Sequence, residues 1–171
     1  MNNFEDSLIF SVLEDADIQK TADIAKIIWR EYYTPIIGAA QVSYMLENFQ
    51  SMETMKRQIE KEDFLYFLIK IDDVDVGYLS LRFEQDNRCF LSKIYILKEY
   101  RKNGYARRAL LEIENLCEEK EQSAIWLTVN IHNEASISAY KKMGFEIIDE
   151  KCADIGAGFF MDDYIMEKRL R

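Results

Sequence analysis

Apolar positions along the chain follow two periods, about 3.6 residues and 2 residues, and the points where one gives way to the other mark the expected elements. Ile9 to Leu13 can form a first strand. Asp15 or Asp17 can then cap a helix whose Ile18, Ala22, Ala25, Trp29 and Tyr32 recur at helical spacing, and Pro35 to Gly38 is expected to break it. Val42, Met45, Leu46 and Phe49 give a second helical stripe, and Ser51 caps a third helix carrying Met52, Met55 and Ile59. The apolar run Phe64 to Ile71 has the length of a strand covered on both faces. Asp72, Asp73 and Asp75 mark a tight turn into Val76 to Phe83, and a polar turn at Asp86 to Arg88 precedes Cys89 to Leu97. Three such consecutive strands predict an antiparallel meander.

The second half alternates. Ala109, Leu110, Ile113, Leu116 and Cys117 define an amphipathic helix that ends in the charged run Glu118 to Glu121. Ile125, Leu127, Val129 and Ile131 alternate as in a strand, and Asn133 caps a short helix to Met143 with Gly144 just past its end. Phe145 to Ile155 and Phe159 to Leu170 read as two strands around Gly156-Ala157-Gly158. With no repeat, low-complexity tract or linker, the expectation is one α/β domain over residues 1–171, with a mixed, mostly antiparallel sheet flanked by helices.

Composition narrows the function classes. A chain of 171 residues, 49% hydrophobic and 31% charged, can bury a sizeable core without a disulfide scaffold. Lys and Arg number 22 against 31 Asp and Glu, and the net charge of −9 repels phosphate backbones and anionic lipid. No nucleic-acid or membrane partner is therefore expected. Cys89, Cys117 and Cys152 are odd in number, widely spaced and set in runs that read as interior, which fits a reducing, cytoplasmic compartment. Met1 to Glu5 carries no basic or apolar leader, and no apolar run approaches the ~20 residues of a membrane span. A single histidine, His132, and the lack of a Cys-x-x-Cys pair argue against a metal site.

The most informative stretch is the strand, loop and helix from Cys89 to Cys117. Its loop reads Arg101-Lys102-Asn103-Gly104-Tyr105-Ala106, and the small residues at 104 and 106 let a ligand approach the backbone where the helix begins. Free N–H groups, the helix dipole and Arg101, Lys102, Arg107 and Arg108 all favour an anion there, and a pyrophosphate would fit. By itself the hexapeptide could equally serve only the turn. A second constellation follows roughly thirty residues on, with Asn133-Glu134-Ala135-Ser136, Tyr140 and Lys142-Met143-Gly144-Phe145.

Together the two constellations resemble the GNAT superfamily of N-acetyltransferases, which use acetyl-coenzyme A. The first half of that signature is an Arg or Gln, then Gly three residues on and a small residue two beyond it. The second half is an Asn-capped helix with a Tyr and a closing Gly-Phe. The likeness runs from about Ile69 to Arg171; more loosely, Ile28 to Ser51 is similar to the bacterial diamine and spermidine/spermine acetyltransferase branch. The resemblance implies a sheet splayed at a coenzyme cleft, with pantetheine along the backbone of Ile94, Tyr95 and Ile96. It implies pyrophosphate on the loop Arg101, Lys102, Asn103, Gly104, Tyr105, Ala106 and Arg107, and a coenzyme contact from Asn133. Tyr140 would stand beside the thioester sulfur. A phenol with a pKa near ~10 can protonate a departing thiolate, and the Ile96 N–H could stabilise an oxyanion.

Other candidates carry less. His132 reads as a packed or exposed strand-end residue, and Cys89 and Cys117 lack an activating His. Trp29, Tyr32, Tyr33 and Tyr44 are core candidates by spacing, one or two of which could line the acceptor pocket that the resemblance implies. The general base stays open: Lys93 lies where several family members place an acidic residue, which leaves Glu84, named first, Asp86, or a tyrosine acting through water. The resulting expectation is acetyl transfer from acetyl-coenzyme A to a primary amine, such as a polyamine or other small cationic amine. The alternatives are a non-catalytic acyl-coenzyme A-binding module and a transferase of protein or peptide amines. A homodimer is compatible with either.

Overall fold

The computed structural model describes residues 8–12 and 14–170. Leu13, the expected end of the first strand, lies outside them. In chain order the elements are β1 (Ile9–Ser11), α1 (Asp15–Ile28), a π-helical turn (Trp29–Tyr33), α2 (Thr34–Ile37), α3 (Ala39–Phe49) and α4 (Met52–Lys61). There follow β2 (Leu65–Ile71), β3 (Val74–Phe83), β4 (Arg88–Ile96), a 3-10 turn (Lys98–Tyr100) and α5 (Tyr105–Glu119). The chain closes with β5 (Ala124–Asn130), α6 (Glu134–Lys142), β6 (Glu146–Gly156) and β7 (Phe159–Arg169).

The described strands form one seven-stranded sheet in the order β1-β2-β3-β4-β5-β7-β6. Only β4 and β5 run parallel, so the sheet is mixed and mostly antiparallel, and β2, β3 and β4 are the expected meander. Asp72 and Asp73 both take positive φ in the β2–β3 turn, a conformation their short polar side chains tolerate. Two cores back the sheet. One face packs α5 and Ile137 of α6 against residues such as Leu79, Leu91, Ile125 and Met166. On the opposite face α1, α3 and α4 cover Tyr66, Leu68 and Tyr78.

Three expectations are corrected. Glu14, extended at φ −114° and ψ 153°, is the N-cap of α1 and makes no side-chain cap bond, while Asp15 and Asp17 lie inside the first turn, where they favour the helix dipole. Pro35 does not break the helix: the wider π turn precedes it, and Pro35 sits in the first turn of α2, where its missing N–H is needed least. The stop is Gly38, at φ 86°. Cys89 and Cys117 are buried, but Cys152 is exposed because β6 is an edge strand that faces solvent along most of its length.

Two features open the sheet at its centre. The β4–β5 ladder spans only Arg88 to Phe90 against Ala124 to Trp126, whereas β5 stays paired with β7 as far as Asn130. Beyond Phe90 the two parallel strands therefore part. In the same stretch of β4 the partner register jumps from Ser80↔Lys93 to Leu81↔Leu91, leaving Ser92 as a bulge that adds twist. Gly77 keeps β3 and β4 close there, since a Cβ at that position would fall 2.1 Å from the Tyr95 carbonyl oxygen.

Candidate active site

The gap between β4 and β5 is edged by backbone groups that the sheet does not use. Leu97 N–H donates to Val76 O at 2.8 Å, and the two-residue alternation of an antiparallel ladder then turns residues 95 and 97 toward β3 and residues 94 and 96 toward the gap. Ile94 and Ile96 thus turn their backbone groups to the gap. The backbone of Tyr95 is engaged with β3, and its ring lies on the helix side, 5.8 Å from Trp29, 5.3 Å from Tyr78 and 6.1 Å from Tyr33.

At the open end of the gap the loop turns into α5. Gly104 is left-handed at φ 78° and serves as the N-cap without any side-chain cap bond, so the first amides of α5 lack a side-chain acceptor. A Cβ there would meet nothing within 4 Å, which leaves the approach to these amides clear. Asn103 Nδ2 donates to the carbonyls of Tyr100 and Arg101, each at 3.2 Å, and so folds the loop on itself. Lys102 and Arg107 are exposed, while Tyr105 and Ala106 pack against the α5-side core. Arg101 is a strut: its Nε donates to Ile96 O at 2.9 Å, its Nη2 meets Glu31 at 2.9 Å, and its guanidinium stacks 5.0 Å from the Tyr32 ring centre.

Asn133 caps α6 as expected, its Oδ1 accepting from the Ser136 N–H at 3.3 Å and from the Tyr32 hydroxyl at 2.6 Å. The residue is only 2% exposed, and its Nδ2 has no hydrogen-bond partner. A buried amide donor without an acceptor is costly and calls for a ligand carbonyl or water. Tyr140, on the same helix, is half-buried with its ring 5.6 Å from Phe145. Burial, then the neighbouring Tyr32, pushes its phenol well above the ordinary range, so it stays protonated at neutral pH.

Glu84 is corrected. Its backbone N–H bonds Arg88 O at 2.9 Å, at the end of the sheet where β4 and β5 are still paired, and its carboxylate is held by Arg82 at 3.1 Å and Trp126 Nε1 at 2.9 Å. The antiparallel hairpin places it at the opposite end of β4 from Ile94 and Ile96. Asp86 pairs with Arg88 at 2.8 Å at the same end. His132 is exposed. The Cys89 thiol, hydrogen-bonded to the free thiol of Cys117 and buried, is pushed far above its ordinary range, which removes it as a nucleophile. Lys93 turns from the gap into the helix-side core, 6% exposed, over the Tyr66 ring at 5.3 Å. Burial lowers its pKa to about 8.

Two groups stand near the gap on the helix side: the π-turn tyrosines, which the sequence offered among the aromatics for an acceptor pocket, and Asp163, which sequence reasoning missed. The π turn presents Tyr32 to Asn133 and stacks Tyr33 on Trp29 at 4.3 Å. Burial, then the nearness of Tyr140, pushes the Tyr33 phenol upward, with Asp163 adding to the rise. Asp163 pairs with Asn130 on β5 and Lys151 on β6, and its Oδ1 is buried without a partner. Among the described residues no group of three or more His, Cys, Asp or Glu could hold a metal, and no helix is long and apolar enough to cross a membrane.

Comparison with known proteins agrees with this architecture. N-alpha-acetyltransferase 50 of Danio rerio is 31% identical over 108 residues, covering 61% of this chain and 64% of that protein. The chain thus spans less than two thirds of the length of the curated relatives it matches. The PaiA N-acetyltransferase from Thermoplasma acidophilum, solved in complex with coenzyme A, shares the fold with a TM-score of 0.77 at 24% identity, over 94% of this chain and 98% of that one. A spermidine N-acetyltransferase SpeG chimera from Vibrio cholerae and hSSAT superposes with a TM-score of 0.71 at 16% identity, over 96% of each chain. The profile of the acetyltransferase (GNAT) family matches residues 21–145, well over half of the sequence, and the chain belongs to that family.

Proposed function

We propose that the protein is an N-acetyltransferase that takes its acetyl group from acetyl-coenzyme A and passes it directly to a primary amine, with residues 1–171 acting as one transferase domain. The observation that carries this reading is that the parted β4–β5 edge gathers ligand-ready groups with no internal partner: the uncapped amides of α5 and the orphaned Asn133 Nδ2. The residues fit the coenzyme. The amides following Gly104 suit a pyrophosphate, the gap-facing backbone of Ile94 and Ile96 and the Nδ2 of Asn133 suit the amides of pantetheine, and exposed Lys102 and Arg107 add positive charge.

Bound acetyl-coenzyme A supplies an activated acetyl as a thioester. Tyr140 Oη holds the proton that a leaving thiolate requires, and the Ile96 N–H faces the gap where it can donate to a developing oxyanion. For the acceptor we favour a small cationic amine such as a polyamine, supported by the net charge of −9. Peptide amines are the second reading, favoured by the 31% identity to an N-alpha-acetyltransferase. The buried free thiols of Cys89 and Cys117 suit a reducing, cytoplasmic compartment. Incubating the protein with acetyl-coenzyme A and a panel of polyamines, amino acids and peptides, read by mass spectrometry, tests the proposal. Acetylated polyamine supports it; acetylated peptides alone select the second reading, and no product from any amine refutes transfer.

A further inference from the structure

We propose that Asp163 is the carboxylate that receives the acceptor's ammonium group and takes its proton, an assignment that rests on the acetyl-transfer reading above. The argument begins with strand register. Along β7, Met161 packs on the helix-side core while Tyr164 and Met166 pack on the α5 side, so strand alternation sends Asp163 to the helix side. Its partner across the sheet is Asn130, the last residue of β5, beside the opening where β4 has parted. Asp163 therefore stands one strand in from the gap, behind the end of β5 that borders it, on the face where the π turn brings Tyr33.

Its surroundings suit a group that binds a cation. Oδ1 is buried and without a partner, whereas two other carboxylates of the sheet, Glu84 and Glu167, are paired with Arg82 and Arg88. A carboxylate oxygen buried without a donor is unfavourable, and it persists where a ligand supplies the missing donor. The charged and titratable neighbours are few: Asp162 beside it on β7, Lys151 opposite on β6, and the Tyr33 phenol from the π turn. Burial, then Asp162, raises its pKa to about 6, and Lys151 opposes the rise. It is thus ionised at neutral pH yet more basic than an ordinary carboxylate, as a general base should be.

The proton balance is closed by residues already in place. One ammonium proton passes to Asp163 and from there to water. The neutral nitrogen forms the N–C bond as the C–S bond breaks, and Tyr140 protonates the sulfur. The second proton lost from nitrogen restores the Tyr140 phenol.

The test uses the full chain, with spermidine or whichever amine the panel shows to be acetylated. For the parent, kcat/KM should form a plateau between about pH 6, where Asp163 ionises, and the amine's own pKa near ~10. Asp163→Asn should lower kcat/KM at pH 7 by at least ~100-fold and lose the plateau, activity climbing steadily toward pH 10 as free amine appears. Coenzyme affinity by calorimetry should stay within about threefold, and thermal stability should hold or rise, because the variant replaces a carboxylate whose buried Oδ1 lacks a donor. Two neighbours supply opposite shifts: Asp162→Asn should move the acid limb to lower pH and Lys151→Gln to higher pH, each with its plateau rate kept. A variant Asp163→Asn with parental turnover and an unchanged acid limb overturns the assignment while leaving acetyl transfer intact. A parent that acetylates no amine overturns the transfer reading and this assignment together.

Discussion

Tyr140 and Lys93 show how much one buried side chain's surroundings decide. Both belong to the centre of the fold, yet the phenol packs on the α5 side beside Phe145 and the ammonium turns into the opposite, helix-side core. Tyr140→Phe keeps the ring packed on Phe145 and removes only the hydroxyl. It should lower kcat by at least ~100-fold in single-turnover kinetics with coenzyme affinity nearly unchanged, the signature of a group that acts on the leaving thiolate. A loss of stability of about 1 kcal/mol with turnover kept would instead mark a structural hydroxyl. Lys93 makes the converse prediction. Its folded-state pKa, about 8, lies below the ordinary 10.5, so between those values the unfolded chain binds the extra proton and stability from this group rises with pH. Below pH 8 a buried charge is carried at a cost. Lys93→Met, similar in volume, should therefore stabilise the fold by ~1–3 kcal/mol in urea unfolding at pH 7, with the gain shrinking toward pH 10.5.

At the scale of elements, the site is made where helices begin and strands part. The start of α5 is left without a side-chain cap, and Gly104 both takes the left-handed conformation and leaves open space in front of the first amides. Gly104→Val is strained at φ 78° and puts a branched side chain into that space. Calorimetric affinity for coenzyme A should fall at least ~10-fold, about 1.4 kcal/mol, in a variant that still folds. Unchanged affinity would remove the loop from the binding site. The π turn has the complementary role. By widening the helix it lets α1 continue into α2 while aiming Tyr32 at Asn133 and Glu31 at Arg101, so the helix layer is tied to the two loops that flank the gap.

At the scale of the whole molecule, net charge is what supports the proposed cationic acceptor. The net charge of −9 sets up an attractive field for polycations, while the exposed Lys102 and Arg107 keep a local positive patch at the start of α5. Acetylation of spermidine or spermine should therefore exceed that of neutral amino acids, and its kcat/KM should fall as salt shortens the screening length from about 10 Å at 0.1 M to about 3 Å at 1 M. A salt-independent rate with polyamines would show that long-range attraction plays no part in choosing the acceptor.

Most of the fold was legible in the sequence because it depends on neighbours along the chain. The strand periodicity of the meander, the Ser51 and Asn133 caps and the Gly104 loop are all set within a few residues, and the structure keeps each of them. The π turn was not legible, because helical spacing through Trp29 and Tyr32 looks the same whether or not one turn is widened. Nor was the exposure of Cys152, which follows from β6 lying at the sheet edge and not from its apolar neighbours. The acid beside the gap belongs to the same class. Glu84 and Asp163 are equally acidic in sequence, but the hairpin register locks Glu84 to Arg82 and Trp126 at the paired end of β4, while the pairing of β7 with β5 sets Asp163 beside the opening. The sequence by itself determined the elements and the uncapped glycine loop before α5, since local sterics and hydrogen bonding decide those. Only the tertiary structure decided which carboxylate lies near the open end of β5, since that depends on the register of strands more than thirty residues apart.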